Sequence, residues 1–384
     1  EAPLLEASRT DELARWLAGT QDRDVARPLD RVRLVVFAGD HGVHVHGVSR
    51  HEADWTVRQV RQLLDGTHPV AALAAVAGVE VAVHAVGLSA EDAATVPASV
   101  TALAVHGRSG DISIEDALSA EETETAVRAG AAIADAEIDA GVDLLLLGDL
   151  GAGATTSAAV LVAACLRKGA VDVVGRGSGI DDDAWMRKTA VIRDAVRRSR
   201  KLATRPTALL QAVSSADVAA AVGFLLRAAA RRTPVLLDGV VGAAAALVAS
   251  RGVPGVEKWW QIGAGTAEPA QKLAAERLKM TPLLELGAGR GGGSGALAAL
   301  GLLRCAQALA AADEVLLPPL PDPVEAPIGA PVEAPVDEPR AEATAENSQE
   351  PDAAQPVQVA PGAITAEPTA DPPTGQETND RPDV

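Results

Sequence analysis

Tyrosine is absent from this 384-residue chain, phenylalanine occurs twice and tryptophan five times. Any core must therefore be built from Ala, Val and Leu, which together with the other apolar residues supply 48% of the sequence. There are only two cysteines, Cys165 and Cys305, far apart and each in an apolar helical context. They offer neither zinc spacing nor a disulfide framework and read as two buried small hydrophobes in a reducing cytoplasmic setting. No concentration of Lys and Arg can track a phosphate backbone, which excludes nucleic-acid binding by bulk charge. No long apolar run is free of both glycine and charge, so no membrane span is expected. The first residues, from Glu1, show no basic-plus-apolar signal pattern.

What the chain does carry is unevenly spread. Of its 52 acidic and 34 basic residues, 14 acids and two arginines lie after Leu317, so that segment holds −12 of the net −18. It also contains 15 of the 24 prolines. Residues 318–384 are accordingly expected to be an acidic, disordered Pro/Ala-rich tail, and residues 1–317 a globular body. Within the body, short apolar runs end in Gly-rich turns and are followed by Ala-rich helical stretches. The runs are Arg33–Phe37, Val79–Val86, Asp143–Leu147, Val171–Val174 and Pro234–Leu237. Each is continuously apolar rather than alternating, as for strands covered on both faces. Stretches such as Glu121–Ala140 and Asp217–Ala230 are long enough for helical crossovers. The pattern predicts an α/β, doubly wound, mostly parallel sheet of αβα, Rossmann-like form, with its ligand beyond the carboxyl ends of the strands.

Three Gly-rich turns concentrate chemistry there. Gly148-Asp149-Leu150-Gly151-Ala152-Gly153-Ala154-Thr155-Thr156 follows a strand and opens a helix. Its amides and threonine hydroxyls suit an anion, and Asp149 suits a ribose hydroxyl; a plain capped turn would look the same. Gly175-Arg176-Gly177-Ser178-Gly179 combines close backbone approach, a guanidinium and a hydroxyl, which is what a phosphate needs. Asp181-Asp182-Asp183 after it are caps on one reading, and Lys188 is either a phosphate ligand or part of a solvated helix face. Gly287 to Gly295 contains a literal G-x-G-x-x-G. No second strand ending in an acid follows it before the Pro-rich segment, so the dinucleotide fingerprint fails and the glycines read as a loop around a ligand. Asp40-His41, with His44, His46 and His51 nearby, could be a metal pair or an acid–base dyad. In a loop they read better as loop histidines with one lining the pocket, and no metal site is expected.

These motifs in this order resemble the nicotinate-nucleotide–dimethylbenzimidazole phosphoribosyltransferases of cobalamin nucleotide-loop assembly. The matching stretches are Phe37 to Val43 with Gly47-Val48-Ser49, Gly148 to Thr156, Gly175 to Asp182, Val235 to Gly239, and Pro282 to Leu286 leading to Gly293-Ser294-Gly295. The likeness covers about residues 9–312, with Arg9 and Leu13–Gly19 as its N-terminal part. The resemblance implies a large αβα domain, a small helical domain from the chain ends, and a cytoplasmic homodimer, with a heteromer as the other possibility. It implies transfer of ribose 5-phosphate from nicotinate mononucleotide to a benzimidazole or related azole, without a cofactor. Substrate contacts are implied at Asp40, His41, Ser49, Gln59, Thr155, Thr156, Gly175, Arg176, Gly177, Ser178, Gly179, Lys188, Asp238, Gly291, Gly292, Gly293 and Ser294. The family's catalytic Glu falls at Gly292, and its Gly-Glu-[Leu/Met]-Gly acid is the shorter Asp149. Asp149, Glu285 and Glu268 are then the candidate bases. The alternative is a catalytically impaired paralogue that binds a nucleotide or azole beside an active partner subunit.

Overall fold

Successive residues of an extended chain point to opposite faces, so a run apolar at every position demands cover on both sides. The computed structural model, which describes residues 8–105, 107–285, 287 and 291–316, meets that demand. The strands are β1 (Val32–Gly39), β2 (Glu80–Gly87), β3 (Leu144–Leu150), β4 (Val235–Leu237) and β5 (Trp260–Ile262). They form one all-parallel sheet in the order β2-β1-β3-β4-β5. Val35, Phe37, Leu145, Leu147, Val235 and Leu237 enter one core with helices Ala120–Asp139, Ala154–Leu166, Ala216–Ala230 and Gly239–Gly252. Leu34, Val36, Leu144, Leu146 and Leu236 enter a second core on the other face. Helices Arg9–Thr20, Trp55–Leu64, Pro69–Ala77 and Ser294–Leu316 cover that face, so the two chain-end helices close the sheet's second layer.

Four of the five expected strands form. Val171–Val174 does not: Ala170–Val173 is a single helical turn. Asp172 accepts the Gly169 N–H at 2.8 Å, which starts a helix, and Val171 is exposed while Val173 is buried. The fifth strand is instead Trp260–Ile262, three residues too short and too polar in the middle to stand out as an apolar run. Cysteine burial also departs from expectation, since Cys165 is buried but Cys305 is exposed. Within the last helix, Ser294–Ala312 is apolar and long enough to cross a membrane by length and composition. Leu297, Leu300, Leu303 and Ala306 are nevertheless buried against the sheet's second core, the i, i+3 stripe of a core helix. The segment 318–384 lies outside the described residues, as do Leu286 and residues 288–290 of the last glycine loop.

The crossover after β1 lies on one face and the crossover after β3 on the other. The crevice between β1 and β3 is therefore the topological switch point, where parallel sheets of this order hold ligands. Register brings the chemistry there. Phe37 pairs with Asp149 and Ala38 with Leu150, while Leu147 pairs with Leu237, the residue before Asp238.

Candidate active site

A cleft of about 320 Å³ opens at those strand ends. Its floor is Asp149 and Asp238, its sides Ser49, Thr155, Gly177 and Ser178, and its rim Glu268, Gly287 and Gly291. His51 and Trp55 line it as a stacked pair, ring centroids 4.2 Å apart and 13° from parallel. The pair is an i, i+4 spacing at the start of helix Trp55–Leu64, and it gives a chain poor in rings one flat apolar wall.

The floor is acidic and largely enclosed. Enclosure by protein, reinforced by the neighbouring Asp238 and Asp217 carboxylates, pushes Asp149 up to about 8. Burial raises Asp238 to about 6, opposed by backbone N–H groups. Asp238 accepts Gly293 N–H at 3.0 Å and Gly295 N–H at 2.9 Å, so it ties the glycine loop and the start of helix Ser294–Leu316 to β4. Near neutral pH the proton sits on Asp149 and the charge on Asp238. Beneath them His41, 2% exposed, lies 3.2 Å from Asp217 and is held by it as the charged partner despite burial. Ser215 donates its hydroxyl to Asp217 as well. Asp40 accepts Ser89 N–H at 3.1 Å, and burial raises its carboxyl.

The opposite end of the cleft is built for an anion. Lys188 is fully buried and donates to Thr155 Oγ1 at 2.8 Å. Burial lowers its pKa, while Glu268 favours the charged form. A Cβ added at Gly177 would stand 3.0 Å from Lys188 Nζ, so loop and cation meet. The Glu268 carboxylate already sits in this cradle. Its Oε1 accepts Gly177 N–H at 2.7 Å, its Oε2 is buried without a partner, and the carboxylate is packed against Gly175.

The structure thus gathers Ser49, Asp149, Thr155, Gly177, Ser178, Asp238 and Gly291 on one cleft, with Lys188 immediately behind. Ser178 Oγ lies 3.3 Å from Ser49 Oγ and accepts Arg50 N–H. Other residues singled out in the sequence stand elsewhere. Asp40, His41 and Thr156 lie buried under the floor, and Gly175 lies behind Glu268. Arg176 points outward to Asp182 and the Ile180 carbonyl, and Gly179 sits in the same turn. The histidine loop is mostly internal: His44 bonds the His51 carbonyl at 2.7 Å and His46 bonds Asp111 at 2.6 Å. Among the candidate bases, Glu285 is exposed, packs against Gly265 and does not line the cleft.

Gln59 lies off the cleft, beside the glycine loop. It bonds His68 at 3.0 Å, and His68 Cε1 would lie 3.7 Å from a Cβ at Gly292, beside Leu150 and Val70. Gly292 has φ +65°, and its N–H donates to the Asp149 carbonyl at 3.1 Å. Gly293 donates to Asp238, and Ser294 opens the last helix with its N–H on the Gly291 carbonyl. Trp55 and Thr266 also line the cleft. Sequence reading missed both, and the only signal for Trp55 was its rarity beside His51.

A phosphoribosyltransferase family model matches residues 6–314. A Streptomyces avermitilis protein named nicotinate-nucleotide–dimethylbenzimidazole phosphoribosyltransferase is 49% identical over 304 residues, 79% of this chain and 81% of its own length. A Mycobacterium avium protein of the same name is 48% identical over 300 residues, 78% of this chain and 85% of its own. The crystal structure of CobT from Thermus thermophilus superposes with TM-score 0.75 at 32% identity, covering 79% of this chain and 90% of that one.

Proposed function

Because the chain belongs to the nicotinate-nucleotide–dimethylbenzimidazole phosphoribosyltransferase family, we propose that it moves ribose 5-phosphate from nicotinate mononucleotide to 5,6-dimethylbenzimidazole. The products are α-ribazole 5′-phosphate and nicotinate, and the reaction serves cobalamin assembly. One observation carries this reading: an anion cradle, an enclosed acidic floor and a stacked aromatic wall converge on one cleft.

Each part has a task. Gly177, Thr155 and Lys188 take the phosphate, which displaces the Glu268 carboxylate from the Gly177 N–H. The ribose then lies over Asp149 and Asp238. Nicotinate mononucleotide carries a cationic pyridinium, and loss of nicotinate leaves positive charge on the anomeric carbon. Buried carboxylates stabilise both, and the substrate cation lowers the pKa of Asp149 so that it ionises as substrate binds. The azole nitrogen attacks the anomeric carbon as the bond to nicotinate breaks, and the proton on its second nitrogen must leave. Asp149 is the acid of the floor with a pKa near working pH, and it takes that proton. The Gly291 rim of the cleft receives the azole, and the His51–Trp55 wall faces the nicotinate ring.

The exposed free thiol of Cys305 suits a reducing cytosol, and the family resemblance supports a homodimer. Mass-spectrometric detection of α-ribazole phosphate from the two substrates tests the reaction. Binding of nicotinate mononucleotide with no product in the presence of dimethylbenzimidazole would overturn it in favour of a binding paralogue.

A further inference from the structure

A second cavity, of about 600 Å³, opens away from the cleft, between the C-terminal end of helix Ala154–Leu166 and the last turns of helix Asp182–Ser199. Arg167 and Lys168 reach it from the turn that ends the first helix. Arg193, Arg197 and Arg200 reach it from the second, at i, i+4 and i+7, a spacing that sets all three on one face. Alanines, Gly169 and Val196 complete the lining, which contains no carboxylate and no aromatic ring. Arg193 is paired with Asp194 at 3.0 Å. Among the described residues, Arg167, Lys168, Arg197 and Arg200 have no ion pair, although acids outnumber bases along the chain, 52 to 34.

Like charges gathered around one concavity repel one another unless an anion joins them. We propose that this cavity is a second binding site, for a compact compound bearing several phosphate groups. Arginine forks match phosphate oxygens in pairs, and five cations that share the one nearby carboxylate of Asp194 exceed what a single phosphate needs. The volume lies in the range of small-molecule sites, about 300–1,000 Å³. With no ring to stack on, a nucleobase gains nothing here, so charge rather than base identity is read.

The same two helices run back to the cleft. Thr155, at the start of the first, and Lys188, nearly two turns into the second, are joined at 2.8 Å. Ala164 and Arg197 lie nine residues further along, about 13 Å at 1.5 Å per residue. A polyanion that clamps the far ends therefore braces the helices that carry the phosphate-binding pair.

Calorimetric titration of inorganic tripolyphosphate into the full-length protein, at about physiological ionic strength, tests the site without requiring turnover. One equivalent should bind, and binding should survive Lys188→Met, which disables only the cleft's anion end. Combined Arg197→Ala and Arg200→Ala, both at exposed positions, should weaken it by about tenfold or more. An unchanged melting temperature verifies that the fold is kept. Absence of binding, or loss with Lys188→Met and retention in the double arginine variant, would overturn the proposal. Equal affinity for orthophosphate would overturn its multiply charged ligand.

Discussion

Helix Ala216–Ala230 takes part in two regions built on opposite principles. In its middle it crosses helix Ala120–Asp139 with side chains removed. A Cβ at Gly130 would collide with the Ala220 carbonyl and one at Gly223 with the Val127 carbonyl. Backbone packs on backbone there, and nothing ionisable is enclosed. At its N-terminal end the same helix holds Asp217, 1% exposed, against His41 and beneath Asp149. That end encloses charge, partly offset by the free amides of the first turn. The close crossing stabilises the fold, whereas the acidic floor costs stability and supplies the chemistry. Three substitutions, one of them read twice, break or sharpen that contrast.

The largest effect is expected at the floor. Asp149→Asn should lower turnover by about 10²–10⁴-fold, the usual worth of a general base, with the fold intact. In the wild type kcat/KM should rise with pH and level off above about 8, where Asp149 is ionised in the free protein. A pH-independent rate, or a variant as fast as wild type, would remove Asp149 from proton transfer.

Next is the crossing. Gly130→Ala should cost about 1–3 kcal/mol or more, as overpacking against an unyielding carbonyl does. Denaturant unfolding measures it, and an unchanged midpoint would mean that the two helices can part without penalty.

At the anion end, Glu268→Gln removes the negative charge that occupies the cradle while keeping its size. Nicotinate mononucleotide should bind about tenfold tighter, with a lower KM. Weaker binding would show that Glu268 holds the substrate rather than competing with its phosphate.

A second effect of the floor is on stability, and its sign is opposite to that on rate. The folded-state pKa of Asp149 is raised from 3.8 to about 8, so the native state binds this proton more tightly than the unfolded chain. The stability it contributes is fully present below the unfolded value and is lost as pH rises through about 8. Asp149→Asn does not titrate. The variant should therefore gain stability over the wild type steadily from pH 4 to about 8, at a slope approaching about 1.4 kcal/mol per pH unit, with its melting temperature rising above that of the wild type in step. A difference that stays constant with pH would contradict the assigned shift.

Sequence alone determined the layered architecture, because a continuous apolar run such as Leu144–Leu147 has no stable state except a strand covered on both faces. It also determined that Gly148-Asp149 and Asp238-Gly239 lie at strand ends, since glycine turns follow those runs directly. Short segments escaped it. Val171–Val174 and Trp260–Ile262 have too few residues for periodicity to speak, and local capping by Asp172 settled one while pairing with β4 settled the other. Tertiary structure alone decided which turns meet. Strand order placed Asp149 beside Asp238, and a crossing far along the chain brought Asp217 under both. It turned Arg176 outward to Asp182, seated Glu268 in the cradle instead, and buried Lys188 against Thr155. A local sequence encodes the conformation of its own backbone. The direction and charge state of a side chain at a strand end depend on partners that only the assembled sheet supplies.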